Sequence, residues 1–130
     1  MKLVNWILMI GIANCIALEA FSDVVFAGTP DTRVVVSETT SSSVHLDQRQ
    51  ASAHGVVITK IGERYFWASR DNTEMEMVRS GAFLTYTALN GSGYVRVVDT
   101  KLRDAIGIEH AYMEHLVLWL TSVTYYGQEH

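Results

Sequence analysis

The stretch from Gly55 to Val98 limits what this chain can fold into more than any other. Gly55 to Ile61 leads through Gly62 and Glu63 into Arg64 to Ser69. After a charged break, Gly81 to Leu89 leads through Asn90, Gly91, Ser92 and Gly93 into Tyr94 to Val98. β-Branched and aromatic residues bounded by turn residues predict strands. An Asn-Gly pair between two such runs is a strong hairpin signal. The stretch therefore reads as two antiparallel hairpins.

Alternation assigns faces within them. Val57, Thr59 and Ile61 share one side of the first strand, opposite Val56, Ile58 and Lys60. Tyr65 and Trp67 oppose Phe66 and Ala68, which predicts a sheet covered on both sides. Between the hairpins, Met75, Met77 and Arg79 alternate with Glu74, Glu76 and Val78, the pattern of a charged edge strand.

The N-terminus has the layout of a secretory signal peptide. Lys2 supplies positive charge, Trp6 to Leu18 is almost wholly apolar, and Val25 to Ala27 offers small residues for a peptidase. Cleavage is expected after Ala27. The apolar run falls short of the roughly 20 residues that span a bilayer, so no stable membrane insertion is expected after cleavage. A retained anchor is the competing reading. Cys15, the single cysteine, lies inside this leader, and Asn14 before it lacks the small side chain of a lipidation signal. A mature chain without thiols excludes disulfides, thiolate metal sites and Cys nucleophiles. Export without disulfides favours a bacterial periplasm or cell exterior.

The rest divides more loosely. Residues 28–54 read as a linker followed by weakly determined strands: Arg33 to Ser37, a Ser/Thr loop, Val44 to Gln48, then one helical turn or a loop from Gln48 to His54. After Val98, Asp99 or Thr100 caps a short helix that Gly107 stops. Met113, Leu116, Val117, Leu120 and Val123 form a helical stripe, predicting a helix from Glu109 to Leu120. The expected fold is thus one α+β domain over residues 28–130. Its antiparallel sheet of about four to six strands is packed by the C-terminal helix, with 55–130 as the ordered centre.

Charge names no partner. Ten Lys and Arg against fourteen Asp and Glu, without a basic stripe, exclude nucleic acid as the expected ligand. The chemistry-bearing candidates are few. His110, Glu114 and His115 are the metal-site alternative, with a further His required. The two histidines are five apart, about 140° around a helix, and miss the four-residue spacing of zinc proteases. Ser52 with His54 lacks a nucleophile elbow, and Glu74 with Glu76 is the pattern of a solvated edge. No cofactor is implied. The remaining signal is aromatic: Tyr65, Trp67, Tyr86 and Tyr94, with Arg96, make a binding surface if they share an exposed face. The expectation is therefore a small exported, non-catalytic binding or envelope-interaction module for a protein, peptide or glycan, open to homo-oligomerisation. A hydrolase or metal-dependent enzyme using His110, Glu114 and His115 is the alternative.

Overall fold

A computed structural model describes residues 22–130. Nine strands and two short helices follow in order. They are β1 (Ser22–Val36), β2 (Ser41–His45), α1 (Gln48–Ala53), β3 (Val56–Ile61), β4 (Arg64–Trp67) and β5 (Thr73–Ser80). β6 (Phe83–Ala88), β7 (Gly93–Val98), α2 (Thr100–Ile106), β8 (Tyr112–Leu118) and β9 (Thr121–Glu129) complete the chain. Every strand pairing is antiparallel, and β1 returns to pair with β9. β1 and β3 to β9 therefore close into an eight-stranded barrel, with β2 as an additional strand on the flank of β1.

This overturns the expected α+β sheet of four to six strands under a C-terminal helix. The two central hairpins are present, as β3–β4 and β6–β7, with Gly62 and Gly91 at positive φ in their turns. Asn90 accepts the Ser92 amide at 3.0 Å, which tightens the second turn. The segment read as a terminal helix is instead β8 and the start of the β8–β9 hairpin. Tyr112, Glu114 and Leu116 point inward, while Met113 and His115 are only half-buried on the outside. An acidic residue at a core position disguised the period of two, and the apolar residues that remained imitated a helical stripe. The hairpin turn was equally hidden, because Trp119, not glycine or asparagine, takes the left-handed conformation there.

β1 closes the barrel by serving two partners in succession. Ser22 to Gly28 pair with β3, and Gly28 to Val36 pair with β9. β2 occupies the same flank as β3 further along, pairing with Thr32 to Val36. α1 fills the interval between them. Asp47 accepts the Gln50 amide at 2.8 Å and Gln50 accepts the Asp47 amide in return, a reciprocal cap that starts this single turn and a half. The β1–β9 register shifts between Pro30 and Thr32. A bulge suits a proline, which has no amide to give the ladder, and it re-aims Asp31.

Eight strands leave an interior just wide enough for side chains to fill. Phe26, Val56, Ile58, Trp67, Met75 and Tyr86 fill it from the first five barrel strands, and Val95, Tyr112, Leu116 and Tyr125 from the other three. Leu46 and Ala51, before and within α1, join the same core. Tyr112 needs space on its neighbours: a Cβ at Gly28 would lie 2.5 Å from its ring, and the pair opposite it on β9 is Gly127. A Cβ at Gly127 would itself collide with the Thr29 carbonyl and lie 2.6 Å from Pro30 Cα, so the closing seam requires glycine. The outward positions carry Arg64, Glu74, Glu76 and Arg96. An apolar inside and a charged outside reverse the pattern of a membrane-spanning barrel, and no described helix is long and apolar enough to cross a bilayer.

Candidate functional site

Two constellations bring predicted site residues together, one centred inside the barrel and one open on its surface. Inside, Glu114 is fully buried on β8, opposite Val95 and Tyr125. A carboxylate removed from water must be paired and hydrogen-bonded. Trp67 donates its indole N–H to Glu114 Oε2 at 2.8 Å, and Arg70 donates from its guanidinium to Oε1 at 2.9 Å. Arg70 comes from the β4–β5 turn, where Asp71 and Asn72 both take positive φ. The Thr73 amide and hydroxyl both donate to the Arg70 carbonyl, fixing the turn. Burial opposes the Arg70 charge, but Glu114 more than offsets it and holds its pKa above the ordinary value.

The network continues outward. The Arg70 guanidinium lies 5.9 Å over the Tyr125 ring, and His54, at the end of α1, stacks on the other ring contact of Tyr125 at 5.0 Å. Burial, then the charges of Arg70 and Arg33, hold the His54 imidazole below its ordinary pKa, with Glu114 opposing. Tyr112 lies deeper, its hydroxyl buried without a hydrogen-bond partner. Burial first, then Glu114 and Asp31, push its phenol far above the usual range. Such a cluster positions and rigidifies. Its members are packed against one another, and Tyr112 alone among them also borders a cavity, the outer groove.

The second constellation is a groove of about 310 Å³ on the outside of β6 to β9, closed at one end by the α2–β8 connection. Phe83, Val98, Ile108, Met113 and Tyr126 give it a mainly apolar wall. Arg96, Glu109 and His110 provide its polar edge. Arg96, Met113 and Tyr126 form one cross-strand row, so the barrel register itself places the cation beside the apolar wall. Arg96 Nε donates to Thr85 Oγ1 at 3.1 Å, and its guanidinium lies 5.6 Å over the Tyr94 ring. It makes no ion pair among the described residues. His110 Nε2 is 2.7 Å from Asp31 Oδ1, the carboxylate turned by the β1 bulge, and its ring lies 5.7 Å from Tyr126.

The aromatic surface expected from the sequence is thus divided by the barrel wall. Tyr65, Trp67 and Tyr86 face the interior, with Tyr65 and Tyr86 packed edge to face at 5.4 Å. Tyr94 and Arg96 face outward. The metal alternative is divided likewise. Glu114 is inside, His115 is outside on the Thr124 hydroxyl at 2.8 Å, and His110 is held by Asp31 across the seam. Neighbouring residues on one strand cannot ligate the same ion from opposite faces. Among the described residues, no group of three or more His, Cys, Asp and Glu side chains converges as a metal site would. The sequence does not join Arg70, Tyr125 and His54 to Glu114; that network is visible only in the fold. The only local signal was Asp71-Asn72, a pair prone to left-handed turns, directly after Arg70.

No protein-family pattern matches this chain, and no curated protein or solved structure does.

Proposed function

We propose that this chain is a small exported, non-catalytic binding module that takes an apolar side chain of a peptide or protein partner, next to a carboxylate, in the outer groove. The leader-like first residues and a barrel core built without cysteine support the export reading. The groove carries the binding reading. At about 310 Å³ it sits at the bottom of the roughly 300–1,000 Å³ range of ligand pockets, the size for one side chain or fragment. Its wall is mainly apolar, and Arg96 at its edge has no acidic partner among the described residues.

Titration of isotope-labelled protein with N-acetyl-tryptophan and N-acetyl-leucine, followed by amide shifts, tests this. The expected result is perturbation confined to Phe83, Arg96, Ile108, Met113 and Tyr126. Arg96→Ala should weaken it by about tenfold or more, the loss of a charged hydrogen bond to the carboxylate. Shifts scattered elsewhere, or unchanged affinity in Arg96→Ala, would reject the groove as the site.

A further inference from the structure

Arg33 is turned to the inner face of the barrel wall and has no carboxylate to meet it. It is the cross-strand partner of the buried Tyr125 on the β1–β9 seam, so the two side chains take the same face. Its Nε–H is buried without a hydrogen-bond partner, and its guanidinium makes no ion pair among the described residues. A buried N–H left unmatched is costly, more so on a charged group. Arg103 has a similar Nε, but its Nη1 donates to Gln128 at 3.2 Å. Tyr125 gathers two further donors near Arg33. The Arg70 guanidinium lies 5.9 Å over its ring, and His54 stacks on it at 5.0 Å with Nδ1 3.3 Å from the hydroxyl. A neutral imidazole that accepts the Tyr125 hydroxyl at Nδ1 carries its own hydrogen on Nε2, a donor left over.

The fold brings these groups to a gap in the wall. Here β1 leaves β3 at Gly28 and is taken up by β2 from Thr32, with α1 across the interval. The β4–β5 turn that carries Arg70 is held beside it, because the Ala68 amide donates to the Val57 carbonyl at 2.9 Å. All three side chains are reached from outside: Arg33 and His54 are half-buried, and Arg70 is 31% exposed. We propose that Arg33, Arg70 and His54 cradle the carboxylate of a small monocarboxylate ligand in this interval, with Arg33 taking its two oxygens. Charge selects the class. Two arginines against the buried Glu114 leave one positive charge. His54 adds none near neutral pH, since burial first, then Arg70 and Arg33, hold its imidazole below the ordinary pKa. One charge matches a carboxylate, whereas a phosphate dianion would set surplus negative charge against Glu114. The planar guanidinium fork also fits a carboxylate's two oxygens. This cradle is separate from the outer groove on β6 to β9.

The test follows the ring-proton resonances of His54 in the full chain at pH 7.5 while sodium acetate replaces sodium chloride at constant ionic strength. A saturable shift is expected. In Arg33→Gln the acetate concentration for half-saturation should rise by about tenfold or more, the loss of a charged hydrogen bond. Arg33→Lys, which keeps the charge without the fork, should fall between the two. Arg96→Ala should leave the His54 response as it is in the parent, so the cradle and the groove fail separately. A His54 shift that does not saturate, or an undiminished response in Arg33→Gln, would overturn the proposal. So would loss of the response in Arg96→Ala, or tighter binding of inorganic phosphate than of acetate, which would reassign the ligand class.

Discussion

Glu114 is the residue on which the interior depends. Its carboxylate has no water to turn to and is held by Trp67 and Arg70. Removing one member of a buried pair leaves the other uncompensated, a loss of about 3–5 kcal/mol, whereas replacing both with apolar residues is often neutral. Glu114→Ala is therefore expected to lower stability by that amount in urea denaturation, and Glu114→Met with Arg70→Met to recover most of it. A single substitution that leaves the midpoint unmoved would show that the pair is not sealed. His54 sets a pH dependence beside it. Its pKa is depressed in the folded chain by burial and by Arg70 and Arg33, so the unfolded chain binds the proton more readily. Full stability is expected above pH of about 6.5, the ordinary imidazole value, with loss as the pH falls below it toward the depressed value. Urea midpoints compared at pH 7.5 and 5.5 should differ less in His54→Gln than in the parent chain, and an undiminished difference would assign the effect elsewhere.

Among the elements, those fixed by neighbours in sequence were legible. The β3–β4 and β6–β7 hairpins follow from Gly62 and from Asn90-Gly91, and α2 is capped by Asp99 and stopped by Gly107 in the left-handed conformation, as its residues imply. The error at β8 came from a residue whose role is not local. Glu114 faces inward only because Arg70 and Trp67, 44 and 47 positions away, meet it there. β1 shows a different gap. Its first six residues, all but Val25 at a register shift, pair with β3, and Phe26 is in the core, so the position after Ala27 lies inside a strand. A chain begun at Gly28 loses the Phe26 side chain, by itself about 3–5 kcal/mol, together with that half of the ladder. Such a chain is expected to unfold at much lower urea, and any processed form of the protein to begin at or before Ser22 when its N-terminus is sequenced. A stable protein starting at Gly28 would refute this.

At the scale of the whole molecule, closure is what turns eight strands into a sealed core with the groove outside. It depends on β1 and β9, whose paired residues are about a hundred positions apart, with Gly127 fitting against the Thr29–Pro30 backbone and a bulge at Asp31. No local pattern encodes such a seam, which is why the two central hairpins were readable and the barrel was not. It also decides the site. Only once the wall is closed do Trp67 and Tyr86 fall inside and Arg96 remain outside, beside His110. The most direct measurement is a set of cross-strand nuclear Overhauser contacts along that seam in solution. Contacts between Val34 and Thr124 and between Thr32 and Tyr126, with strand contacts from Tyr112 to Leu118, are predicted. Their absence, or helical contacts over residues 109 to 120, would contradict the closed barrel.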